Sequence, residues 1–397
     1  MHKRTVKLNI RILIAFLLLF CCLFAGCFNT GESTGEEQAT LPVLDYREVD
    51  GVTQTEIDAI EALKAEHTGF EVAMNYSTEA FTLIDGSIGG YSSLFCEFLS
   101  QLFDMKFSPA VYEWDALIDG LNSHDIDFSG ELTATPERQE RYFMTDAIAQ
   151  RSIKYFQLAD SPLLSETAAK RELRYAFLDG STALDYVKES SEYPFAEVFV
   201  DDYQTVMQLL ESGDIDAFFD DGTAEAVFDE YGRVQASEYF PLIYAPVSLT
   251  TANPELKPFI SVVQKCLEHE GVVYYLTSLY NQGYQDYMVH KLTGQMTAEE
   301  KEYLQAHTQP GVAIPIALEY DNYPMCFYNH QEGEWQGIAV DVLREVEKLT
   351  GLTFEAANEE GTDFLTLLAL LESGEAAILS ELIPSPDRLD EYLWPDE

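Results

Sequence analysis

The chain has 397 residues, of which 47% are hydrophobic and 13% aromatic, which excludes an intrinsically disordered protein. At about 100–200 residues per domain, the length predicts roughly two to four domains. A net charge of −46 excludes nucleic acid and anionic lipid surfaces as partners of the folded part.

The first predicted element is a leader over 1–27. It has a basic start (Lys3, Arg4, Lys7, Arg11), an apolar run from Ile12 to Phe24, and then Ala25-Gly26-Cys27. The run is short for a membrane span and has the shape of a secretory signal. Small residues before Cys27 resemble a bacterial lipobox, with Phe24 where that motif usually has Leu, so Cys27 is the expected lipidation site. Cleavage without lipid, or retention as an anchor, are the alternatives. The segment 28–50 is polar, lacks periodicity, and reads as a flexible stalk.

A capping box, Thr53-x-x-Glu56, opens a helix over 53–66. A strand over 70–74, a loop through Phe81, a helix near 90–104, a strand near 107–112, a helix over 114–122 and a strand over 126–130 follow, and then the loop Thr135-Pro136-Glu137-Arg138. Further on come a strand at 175–178, a turn Gly180-Ser181-Thr182 into a helix, a strand over 214–219, and largely helical sequence over 255–290. Alternating strands and helices predict an α/β fold with its sheet covered on both sides. Cys96, Cys266 and Cys326 are far apart and read as buried small hydrophobes; no metal-ligand spacing occurs, and no cofactor is expected.

The chain repeats itself. The stretch 114–138 aligns without gaps on 364–388, an offset of 250. Glu131-Leu132 matches Glu381-Leu382, and Thr135-Pro136-Glu137-Arg138 matches Ser385-Pro386-Asp387-Arg388. Upstream, Phe81 and Gly90 match Phe327 and Gly337, and a second capping box, Thr297-x-x-Glu300, matches the first. A period this long is a duplicated domain.

These residues together resemble the family 3 bacterial solute-binding proteins, the amino-acid-type periplasmic binding proteins, over about 70–294 and in part over 312–397. Related domains also form the extracytoplasmic parts of sensor kinases and cyclases. The resemblance implies a periplasmic-binding-protein-like II, two-lobed Venus flytrap, with one complete module (51–294) and a partial second (295–397). Lobe 1 would be about 70–150 plus 245–294, lobe 2 about 155–240, and the solute would lie between them. It implies Arg138 as the grip on a solute carboxylate and Asp221 as the acceptor of its amino group, with Asp220 next in line. Thr133 and Thr182 would be pocket contacts, and Trp114 and Phe81 aromatic ones. In the second copy the matching residues are Arg388, Glu381, Phe364 and Phe327. The bland alternatives are a surface ion pair for Arg138, an N-cap for Thr182 and core packing for Trp114.

Three departures bear on the solute. Thr78-Glu79-Ala80-Phe81 stands where the family often has Tyr-x-Pro-Phe. The segment after Gly90 lacks the usual acids, and Glu131 replaces a small polar residue. A carboxylate at 131 suits a cationic or amine-bearing solute.

The expected role is non-enzymatic binding of a small solute, an amino acid or similar, outside the cytoplasmic membrane. The chain would be the sensing region of a receptor with a kinase or cyclase domain. One alternative is a lipid-anchored component of an ABC importer with a permease partner; the other is a dehydratase- or lyase-type enzyme on the same fold. Because Glu397 aligns with Ala147, the second module lacks its second lobe, and the sequence reads as part of a longer protein.

Overall fold

The computed structural model describes residues 45–229 and 231–394. The leader, Cys27 and most of the expected stalk lie outside the described residues. The chain divides after Pro42, and the fold belongs to the unit beginning at Val43.

The core is one nine-stranded sheet. Its strands are β1 (Gly69–Met74), β4 (Lys106–Val111), β5 (Phe128–Leu132), β6 (Phe143–Leu158), β7 (Leu173–Leu178), β8 (Phe195–Val200), β9 (Ala217–Asp221), β10 (Val234–Glu238) and β11 (Tyr244–Thr251), with the short hairpin β2 (Phe81–Thr82) and β3 (Ile88–Gly89) beside it. The order is β4-β1-β5-β11-β6-β9-β7-β8, with β10 also on β6. β1, β4 and β5 are parallel, as are β7, β8 and β9. The 16-residue β6 lies between the two sets, antiparallel to β11 on one side and to β9 on the other. Its first half pairs with β11 in the first lobe; from Ile153 onward it pairs with β9 and β10 in the second. This is a two-lobed α/β architecture.

Apolar burial explains each lobe. In the first, Phe70, Phe103, Phe107 and Phe128 gather around Phe259, with ring centroids 4.8–5.9 Å from it. In the second, Tyr175, Phe177 and Tyr239 surround Phe219 on one side of the sheet, while Phe156, Phe218 and Phe228 pack on the other. Each such ring buries about 150–250 Å², which makes aromatics the main source of core energy here.

Helices α1 (Gln54–Glu66), α2 (Tyr91–Phe103), α3 (Trp114–Ser123), α4 (Pro136–Gln139), α5 (Leu164–Ala168), α6 (Ala183–Ser190), α7 (Tyr203–Ser212), α8 (Glu225–Asp229), α9 (Lys257–Leu267) and α10 (Glu270–Gln295) flank the sheet. The capping box at Thr53 and Glu56 is present at the start of α1. Glu56 also binds Ser261 and Lys265 of α9, each at 2.6 Å. Cys96, Cys266 and Cys326 are free and buried.

Two strands begin later than the sequence pattern suggests, and for the same reason. α3 ends on His124 and α7 on Gly213, both left-handed. The next two amides fold back onto the helix: Asp125 and Ile126 donate to the Gly120 carbonyl, and Asp214 and Ile215 to that of Leu209. The isoleucines therefore serve the helix cap, and the strands start at Phe128 and Ala217 rather than 126 and 214. Asp127 and Asp216 then accept the amides of Glu71 and Arg174 on the neighbouring strands, at 2.9 and 2.8 Å.

α10 ties the module together. A Cβ on Gly283 would collide with the Tyr91 amide nitrogen, so only glycine allows that approach to α2. One and two turns later, Tyr287 and Lys291 reach Asp229 of the second lobe at 2.5 and 2.7 Å.

After α11 (Ala298–His307), the second copy repeats the start of the first. β12 (Ile314–Ala317) lies parallel between β16 (Phe354–Ala356) and β17 (Ile378–Leu379), as β1 does between β4 and β5. A hairpin of β13 (Asp321–Asn322), β14 (Cys326–Asn329) and β15 (Glu334–Gln336) precedes α12 (Ile338–Thr350); α13 (Phe364–Ser373) and α14 (Pro386–Leu389) follow. Among the described residues, no helix is long and apolar enough to cross a membrane.

Candidate functional site

The ends of β5 and β9 bring Glu131 and Asp221 to Arg151 at the middle of β6, where the lobes adjoin. Along β6, Ala149, Arg151 and Ile153 are buried in alternation. An arginine thus occupies an inward position of a strand, with its side chain only 3% exposed. A buried charge of this kind persists only when it is paired.

Arg151 is paired three times. Nε and Nη2 donate to the two oxygens of Glu79 at 2.9 and 2.8 Å, a bidentate pair. Nη1 donates to Glu131 Oε2 at 2.7 Å and to Asp221 Oδ2 at 3.3 Å. Glu79 and Glu131 belong to the first lobe and Asp221 to the second, so one guanidinium links both. The remaining oxygen of Glu131 accepts the Asn75 amide at 3.0 Å, and the Tyr280 hydroxyl hydrogen-bonds to Glu79. Arg151 is held charged well above the ordinary arginine range: burial opposes the charge, and Glu131 and Glu79 outweigh burial.

Next to Asp221, Asp220 is buried and accepts from the Tyr203 hydroxyl at 2.9 Å. Burial pushes the carboxyls of both aspartates upward; for Asp220 the neighbouring Asp221 adds to this, whereas for Asp221 the charge of Arg151 works against it.

A second cation lies nearby in a different state. Thr135 caps α4, with Pro136 at its first position and the Thr135 hydroxyl accepting the Arg138 amide at 3.3 Å. This aims the partly buried Arg138 across the lobes. Its Nη1 donates to the Thr133 carbonyl at 3.2 Å, and its Nη2 to the Gly180 carbonyl of the second lobe at 3.4 Å. The guanidinium lies 6.0 Å from the Trp114 ring, and among the described residues no carboxylate pairs with it. Burial lowers its pKa from the usual arginine value.

Thr182 precedes α6 without a side-chain cap bond, while its neighbour Ser181 accepts the Ala183 amide at 3.1 Å. The structure thus brings Arg138, Thr133, Trp114 and the 180–182 turn to one place, and Glu131 and Asp221 to another beside it. Phe81 is fully buried against Tyr287 and His290, in a core cluster with Ala226.

In the second copy, Arg388 Nη1 donates to the Ile383 carbonyl at 3.2 Å, as Arg138 does to Thr133. Glu381 accepts from Asn322 at 2.9 Å, and burial and a hydrogen bond with Glu319 push its carboxyl upward. Phe327 packs on Tyr323 with centroids 5.1 Å apart, and the partly buried Phe364 opens α13.

Sequence reasoning missed Arg151, Tyr203 and Tyr280. For Arg151 a signal existed: a charge at an inward position of the alternating run Ala149 to Ile153. Glu79 stands out in the sequence only as a departure from the family loop.

A two-lobed sheet whose long central strands cross between lobes, with paired charges at the junction, defines a solute-binding protein of the flytrap type. The model of the bacterial extracellular solute-binding proteins, family 3, matches residues 70–273 and 314–395, and the chain belongs to that family. Comparison with curated proteins finds no match. Among solved structures, the chain is similar to the amino acid ABC transporter substrate-binding protein AbpA from Streptococcus pneumoniae bound to L-arginine, with 14% identity, 57% of this chain and 98% of that one covered, and a TM-score of 0.46. It is similar to the periplasmic VFT2 domain of BvgS from Bordetella pertussis at 17% identity, with 57% and 97% covered and a TM-score of 0.46. It is also similar to ArgBP from T. maritima, in its P235GK mutant form, at 20% identity, with 56% and 99% covered and a TM-score of 0.42.

Proposed function

We propose that the first module binds a small carboxylate-bearing solute, an amino acid or a compound of that size, between its lobes, as the sensing region of a membrane receptor at the outer face of the cytoplasmic membrane. The observation that carries this reading is the state of Arg138. It is a partly buried guanidinium bonded to one carbonyl from each lobe and to no acid among the described residues. A solute carboxylate would replace two neutral acceptors with an anion and form a bidentate ion pair with the guanidinium. Binding would favour the closed lobes by that difference. The duplicated module supports a receptor, because stacked sensing modules suit passage of a signal toward a kinase or cyclase domain.

Isothermal titration of the intact chain with small carboxylates, repeated on Arg138→Ala, tests this reading. Binding lost in the variant supports it; equal affinity in the two sinks it. The lipobox-like Ala25-Gly26-Cys27 supports a second reading, a tethered component of an importer. Neighbouring permease and ATPase genes, with loss of uptake on deletion, would select that one.

A further inference from the structure

A solute held by Arg138 that also carries an α-amino group needs an acid with free valence at the lobe junction. Four acids gather there: Glu79, Glu131 and Asp221, all bound by Arg151, and the buried Asp220, whose two oxygens accept the Tyr203 hydroxyl and the Asp221 amide. Both oxygens of Glu79 and one of Glu131 are bound to the guanidinium, and the other oxygen of Glu131 is bound to the Asn75 amide. Glu79 and Glu131 are only 3% and 6% exposed. Asp221 alone keeps access, at 25% exposure, and its outer face lies beside the cation it binds.

We infer that Arg151 is a specificity-determining residue that stands in the chain for the solute's ammonium group, so that the first module takes carboxylates carrying a hydroxyl where amino acids carry an amine. This rests on the carboxylate reading of Arg138. It differs from the expectation that Glu131 selects an amine-bearing solute, because the charge of Glu131 is already answered from within. An incoming ammonium would have to sit against the guanidinium or displace it from a bidentate pair. A hydroxyl faces neither obstacle and donates to Asp221 without a charge of its own.

The test is a titration of the intact chain with matched pairs of one skeleton: lactate against alanine, malate against aspartate, and 2-hydroxyglutarate against glutamate. At least one hydroxy acid is expected to bind tenfold or more tightly than its amino partner. An amino acid that binds as tightly as its hydroxy analogue, or more tightly, overturns the role of Arg151 while leaving the carboxylate reading in place. No binding by either member of any pair overturns both. The paired variant Arg151→Gln with Glu79→Gln removes one cation and one anion together and frees Glu131 and Asp221. It is expected to shift the hydroxy-to-amino ratio by tenfold or more toward the amino acid. An unchanged ratio in the folded variant counts against the inference, and if the variant does not fold, the wild-type ratios decide alone.

Discussion

The two copies of the opening half-module share a backbone but differ in charge. Gly90 and Gly337 both adopt positive φ, at +89° and +120°, and in both a Cβ would lie 2.5 Å from a carbonyl oxygen, that of Glu79 or Met325. Arg138 and Arg388 make the same bond to a carbonyl five residues back. Yet Glu131 meets a guanidinium, whereas its counterpart Glu381 meets a second carboxylate and an amide. Where Glu79 supplies two oxygens to Arg151, the second copy has Met325. Backbone geometry is thus preserved through duplication where a glycine or a cap enforces it, and the electrostatics of the site are free to diverge.

The sharpest way to break this contrast is to remove the cation. Arg151→Met should cost about 3–5 kcal/mol in urea unfolding, because it strands three carboxylates. Glu381→Gln should cost nothing or stabilise, because it relieves a like-charge contact. Equal costs would mean that the two sites are electrostatically alike. A smaller difference is expected at the capping boxes. Glu56→Gln keeps the cap but loses the pair with Lys265, at about 1.5–3 kcal/mol, whereas Glu300→Gln at the exposed second box should be nearly silent. Burial pushes Glu56 upward, but Lys265, Ser261 and Thr53 win and pull it down to about 2. Its contribution is therefore full above the unfolded value of 4.5 and is lost as pH falls toward 2, a loss that Glu56→Gln should abolish.

Gly90→Ala and Gly337→Ala should cost alike, about 1–3 kcal/mol each, since strain and close approach are common to both. Unequal costs would show that the shared geometry is not equally required. A further effect is a pH slope at the lobe junction of the first module. Asp220 holds its proton longer folded than unfolded, so stability should fall as pH rises from its ordinary value of 3.8 toward about 7, and Asp220→Asn should flatten that slope in thermal melts.

The fold was largely legible because local rules set it. Capping boxes, alternating strands and the gapless repeat over 114–138 each leave a mark in a short window of sequence. The strand starts at Phe128 and Ala217 were misplaced because Ile126 and Ile215 look like strand residues and serve as helix caps. The site was half legible. Arg138 and Asp221 carry motif signals, but the arginine at 151 belongs to a strand with no motif. Its partners come from positions 79, 131 and 221, which only the closed sheet brings together.

Helix α10 bears on force rather than binding. Its 26 residues span about 39 Å. It is pinned to the first lobe where Gly283 meets α2, clasps the second lobe through Asp229, and runs on to Met296, where the Thr297 cap starts the next helix. A rod fixed at one bearing and gripped near its tip by a moving jaw works as an outrigger. If the jaw swings, either the clasp at Asp229 lets go or the tip is dragged sideways, and the neighbouring module is coupled to whichever of the two yields.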